Sequence, residues 1–97
     1  MSEIREYSGS IQSSDVVIVV GKYLNYALTL DESTVTGTVD MLLRAPGATE
    51  YTAPSDNTLT LGSNAGLCSG SNRMAFDAVK LSPDSLSGAV TYHLSVW

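Results

Sequence analysis

Residues 15–30 read DVVIVVGKYLNYALTL, and how this stretch divides decides the fold. Its first part, DVVIVV (15–20), is apolar at every position after the aspartate. Such a run suits a central strand covered on both faces, or a strand paired tightly in an assembly. Gly21-Lys22 reads as a short turn. YLNYALTL (23–30) then alternates: Leu24, Tyr26, Leu28 and Leu30 point one way, and Tyr23, Asn25, Ala27 and Thr29 the other. That is the two-residue period of a half-buried strand.

The same period runs outward in both directions. DES (31–33) reads as a hairpin turn. TVTGTVDMLLR (34–44) places Val35, Gly37, Val39, Met41 and Leu43 inward, with Gly37 marking a bulge or a close backbone approach. On the N-terminal side, residues 1–14 form an arm or an edge strand, and an arm of this kind could add its backbone to a neighbour's sheet edge. On the C-terminal side, 45–57 carries two prolines and reads as loop, TLTL (58–61) as a short strand, and GSNAGLCSGSN (62–72) as a flexible loop. In RMAFDAVKL (73–81) the inward phase slips from Met74 and Phe76 to Val79 and Leu81, which a bulge near Asp77–Ala78 would reconcile. SPDSLSG (82–88) is a turn region and AVTYHLSVW (89–97) a final strand. Helical periodicity is nearly absent, and Ser plus Thr make 23 of the 97 residues, which disfavours long helices. The expectation is a single antiparallel β-sandwich or jelly-roll-like barrel of about seven short strands, counting the N-terminal edge strand, with the sandwich domain over residues 15–97.

A domain of 97 residues builds a modest core. Small domains often compensate with disulfides, metals or oligomerisation. The one cysteine, Cys68, rules out an intrachain disulfide, and the one histidine, His93, has no metal-ligand cluster around it in sequence. No metal and no cofactor is therefore expected, which leaves oligomerisation or attachment to something larger. The net charge is −5, and Arg5, Lys22, Arg44, Arg73 and Lys80 are scattered. Phosphate neutralisation needs a basic patch, so nucleic acid is not an expected partner. The longest apolar run, Val16–Val20, is too short to span a bilayer as a helix, and no membrane association is expected. Residues 1–14 have no charged-then-apolar pattern of a signal peptide, which points to synthesis in a cytoplasm without processing.

Reaction chemistry finds no support. Cys68 and His93 could form a nucleophile and base, but no nucleophile elbow or family signature surrounds either. The expectation is a non-enzymatic protein. Aromatic residues are the better lead. In the last strand Val90, Tyr92, Leu94 and Val96 share one face and supply the core, while Thr91, His93, Ser95 and Trp97 share the other. Trp97 thus ends on an otherwise polar face, where a large aromatic calls for cover by another chain. Trp97, His93 and Tyr23, with Ile4, Tyr7 and Ile11 of the N-terminal segment, are the candidate interface residues. Exposed Tyr and Trp could instead form stacking platforms for a sugar, the alternative function, although amide and acid side chains to flank them are sparse.

The run FDAVKLSPDSLSGAVTYHLSVW (76–97) resembles the C-terminal end of small all-β virion proteins of tailed bacteriophages, through Ala78, Val79, Leu81, Pro83, Leu86, Gly88, Ala89, Tyr92, Leu94 and Val96. The resemblance implies a capsid decoration (cement) protein, a head-fibre base or a tail accessory subunit, located in the virion. The implied partners are the major capsid protein or other virion subunits, together with further copies of the chain in a homo-oligomer, a trimer being preferred.

Overall fold

A computed structural model describes residues 4–31, 35–54, 57–61 and 67–97, and of residues 67–74 it describes the backbone. The protein is all-β. Its strands are β1 (Arg5–Ile11), β2 (Val16–Leu30), β3 (Gly37–Arg44), β4 (Thr58–Leu61), β5 (Leu67–Asp84) and β6 (Val90–Val96). They form one curled antiparallel sheet in the order β1-β6-β2-β5-β3-β4.

Six strands replace the expected seven because the strands expected at 15–20 and 23–30 are one, and β5 also runs on into an expected loop. Gly21-Lys22 is not a turn. Gly21 sits at φ 93° inside continuous β2 and lets the strand bulge and bend there. Residues 67–72 are not a loop but the first part of β5, where Ser71 to Leu67 pair with Asn25 to Thr29. Residues 62–66 of that expected loop, and residues 32 and 33 of the expected hairpin turn, lie outside the described residues. The β2–β5 register breaks between Val19 and Asn25: Val19 pairs Ala78, Tyr23 pairs Phe76 and Asn25 pairs Ser71. Both strands therefore carry extra residues at the same place, and the sheet turns a corner. Tyr26 and Phe76 meet just inside it, edge to face at 6.0 Å between ring centres.

The corner divides the sheet into two layers. One holds β1, β6, the later half of β2 and the early part of β5. The other holds the early half of β2, the later part of β5, β3 and β4. Their inner faces share one core, in which Ile11, Val90, Leu94 and Val96 from the first layer join Val39, Met41, Leu59, Leu61 and Leu81 from the second. The alternation predicted for 34–44 holds, since Val35, Val39, Met41 and Leu43 are all buried. The predicted phase slip in β5 is seen from Phe76 onward: Phe76, Ala78, Val79 and Leu81 are all buried, and the register with β2 breaks between Ala78 and Phe76, while the side chain of Met74 lies outside the description. Gly37 makes the expected close approach. At φ 123° a Cβ there would stand 2.6 Å from the Ser85 carbonyl oxygen.

The connection between β3 and β4 is irregular but tied down over its described residues, 45–54 and 57; residues 55 and 56 of the expected loop lie outside them. Leu43 and Thr52 exchange backbone hydrogen bonds of 2.9 and 2.8 Å, and Met41 donates to the Asn57 carbonyl at 2.9 Å, so the segment continues β4's place along β3. Tyr51 on this segment receives Lys80 at 4.6 Å and Arg44 at 5.6 Å over its ring, which pins the loop to the outer face of the second layer.

Candidate interaction surface

The outer face of the first layer follows from its registers. Glu6 lies opposite Ser95 and Ser8 opposite His93 on one side, and Ala27 opposite Ser95 and Thr29 opposite His93 on the other. Alternation keeps their apolar neighbours Leu28, Leu94 and Val96 inward, so this face is built of short, mostly polar side chains. Trp97 closes one end of it, 37% exposed. Its backbone is held firmly: its N–H donates to the Asn25 carbonyl at 3.1 Å, and its carbonyl accepts from the backbone N–H groups of Asn25 at 3.0 Å and Leu24 at 3.3 Å. The Asn25 side-chain amide adds a further bond to that carbonyl at 3.1 Å.

Ile4 comes to the same end. Arg5 pairs with Val96, so one more step along the ladder sets Ile4 opposite Trp97, and Ile4 is 63% exposed. Leu24 joins them. Alternation had pointed it inward with Tyr26, but the bulge after Gly21 resets the phase and leaves Leu24 46% exposed. Three large apolar side chains, Ile4, Leu24 and Trp97, thus rim one corner of a polar face.

The other candidate residues divide. His93 is on the face as expected, its Nε2 3.1 Å from both carboxylate oxygens of Asp31. Both partners are more than half exposed, so solvent screens the pair and it holds little energy. A shallow depression of about 370 Å³ adjoins it, lined by Glu6, Tyr7, Ser8, His93, Leu94 and Ser95. Tyr7 and Tyr23 are partly buried and pack against the core, and Ile11 is 1% exposed within it. Ile11 therefore has no surface to offer a partner: its place opposite Val90, at the inward phase of β1, gives it to the chain's own interior. Cys68 lies in β5, among the residues whose side chains are not described.

Two exposed residues went unsingled in the sequence. Ile18 and Val20 are buried, but Val17 is 52% and Val19 70% exposed. The early half of β2 is therefore covered on one face only. The doubly apolar run was the signal, and it carried both readings. Among the described residues no buried side chain is charged and the tyrosine hydroxyls of Tyr26 and Tyr92 are the polar groups of the buried set, and no three His, Cys, Asp or Glu side chains are grouped to hold a metal ion.

No family model matches the chain. No curated protein matches it either. Among solved structures it is similar to the crystal structure of SPBc2 prophage-derived protein YomS, with a TM-score of 0.54 and 16% sequence identity, over 99% of this chain and 96% of that one. The two share a fold.

Proposed function

We propose that the chain is a non-enzymatic structural subunit of a bacteriophage particle, of the capsid decoration (cement) kind, which binds the shell and its own copies. The observation that carries this reading is the fold it shares, almost end to end, with a prophage-derived protein. The C-terminal resemblance to small virion proteins points the same way. The corner rimmed by Ile4, Leu24 and Trp97 supports a docking role. A few exposed apolar side chains set beside small polar ones are what a partner surface offers, an anchor with a polar surround. On this reading the corner faces the shell. Its partners are the major capsid protein or other virion subunits, its location is the virion, and neither nucleic acid nor membrane takes part.

Light scattering of the purified chain at micromolar concentration, with and without purified shells of the virus that encodes it, tests the proposal. Attachment to shells that Trp97→Ala weakens supports it. A chain that leaves shells bare overturns it. A glycan array run alongside addresses the adhesion alternative, for which the depression beside His93 is the structural support. Specific sugar binding that is lost on Trp97→Ala or His93→Ala would favour an adhesion module instead.

A further inference from the structure

We infer that the early half of β2, Val16–Val20, pairs edge to edge with the same segment of a second copy, antiparallel about a two-fold axis through Ile18. The inference rests on the reading that the chain binds its own copies, and it assigns that contact to an edge remote from Trp97 along β2.

The edge is open. Val16–Val19 pair with β5 on one side only. On the other side β6 pairs no further along β2 than Tyr26, and Trp97 carries the contact as far as Asn25 and Leu24. Among the described residues no strand lies beyond that point. An open edge presents a row of unpaired backbone donors and acceptors, and proteins usually blunt such edges with charge, proline or shortness. The outer strands at the two ends of the sheet are blunted in this way: β1 exposes Arg5 and Glu6, and β4 has four residues. Val16–Val20 has none of these devices, and Val19 is the most exposed large apolar residue described.

A second copy fits this edge by its own symmetry. With the axis through Ile18, Val17 lies opposite the partner's Val19 and Val19 opposite the partner's Val17. These are two cross-strand pairs of β-branched side chains on one face, the contact that stabilises neighbouring strands. Ile18 and Val20 stay in their own cores. Charge selects the antiparallel sense. Asp15 precedes the segment and Lys22 follows it, both exposed, so antiparallel pairing brings each acid toward the partner's base, whereas parallel pairing would set like beside like. The four strands of the second layer then continue into the partner's four as one sheet.

The full chain is first sized by light scattering at micromolar concentration beside Val17→Lys/Val19→Lys. Both positions are exposed, so the variant still unfolds cooperatively, at a midpoint that no longer depends on protein concentration. A wild-type dimer that becomes monomeric in the variant supports the pairing. A wild-type monomer, or an oligomer the variant leaves intact, overturns it. A second test reads the register. Directly opposed residues of antiparallel strands have Cα atoms about 4.5–5.5 Å apart, within the disulfide range of about 4.4–6.8 Å. On a Cys68→Ser background, Val17→Cys mixed with Val19→Cys forms a disulfide-linked heterodimer under mild oxidation, and neither variant alone cross-links at that rate. A wild-type dimer without this cross-link overturns the axis. Shell binding is read separately. A dimer that ignores shells defeats the functional proposal alone, and a monomer that attaches to shells defeats the pairing alone.

Discussion

Asn25 holds Trp97 from three atoms: its carbonyl accepts the Trp97 N–H at 3.1 Å, and its own N–H and side-chain amide both donate to the Trp97 carbonyl, at 3.0 and 3.1 Å. The backbone pair extends the β2–β6 ladder by one step, and the amide adds a bond that only this side chain supplies. Asn25→Ala removes that one bond and is expected to cost about 0.5–1.5 kcal/mol. Chemical denaturation followed by the fluorescence of the sole tryptophan reports both the stability change and any loosening of Trp97 itself.

Val96 and Trp97 are neighbours with opposite duties. Val96 is fully buried and Trp97 is 37% exposed. Val96→Ala is expected to destabilise the isolated subunit by about 2 kcal/mol through the lost methyl groups and the cavity left behind. Trp97→Ala is expected to leave subunit stability within about 1 kcal/mol of wild type. It is expected to weaken shell attachment by about 2 kcal/mol or more, as loss of an interface anchor does. Denaturation of each variant, paired with co-sedimentation on shells, separates the two effects. Equal losses of stability with attachment untouched would return Trp97 to the subunit's own packing.

Gly37 is expected to tolerate no side chain. Its φ of 123° disfavours any L residue, and a Cβ would stand 2.6 Å from the Ser85 carbonyl oxygen and 2.9 Å from the Leu86 Cα, both backbone atoms that cannot swing away. Gly37→Ala is expected to cost about 2–5 kcal/mol from strain and overpacking together. Gly47 is the control: its φ is 82° but nothing lies within 4 Å of a Cβ there, so Gly47→Ala is expected to cost only about 1–2 kcal/mol. Urea midpoints of the two variants measure the difference.

Gly9 lies opposite Tyr92 in the β1–β6 ladder, and the Tyr92 ring leans across it. A Cβ at Gly9 would meet the Tyr92 hydroxyl at 2.8 Å and ring carbons at 3.0 Å. Gly9→Ala is expected to push the ring aside at a cost of about 1–3 kcal/mol. Because the hydroxyl is the nearest atom, the cost is expected to fall on a Tyr92→Phe background. A double-mutant cycle in urea gives the coupling. A null coupling would show that the ring moves freely.

What was legible in the sequence was each strand's inward phase wherever a strand stays regular. Val39, Met41 and Leu43 of β3, and Tyr92, Leu94 and Val96 of β6, are buried as a two-residue period demands. What escaped lies at the corner. Glycine in a bulge and glycine in a turn leave the same trace in sequence, so Gly21 concealed the continuity of β2, and the phase reset behind it put Leu24 outside. The Ser-, Gly- and Asn-rich residues 67–72 look like loop because their strand character is imposed by pairing with Asn25 to Thr29, about forty positions earlier in the chain. The candidate surface was legible at Trp97 and Ile4, which end their strands. It was not legible at Ile11, because a lone apolar residue in a polar segment does not say whose core it enters.

The place of β6, between β1 and β2 in the sheet, has a consequence in time. On the ribosome the strand at residues 5–11 is made first, yet its ladder partner at 90–96 is made last. Until then the first layer lacks its middle strand, and the inward faces of β1 and of the later half of β2 have no neighbour between them. Domains fold as units during synthesis, so this one becomes whole only when its final strand arrives. The corner formed by Ile4, Leu24 and Trp97 does not exist before that moment. A chain cut short during synthesis would therefore lack this corner, and under the proposed function incomplete copies would be kept off the shell by the order of the strands alone.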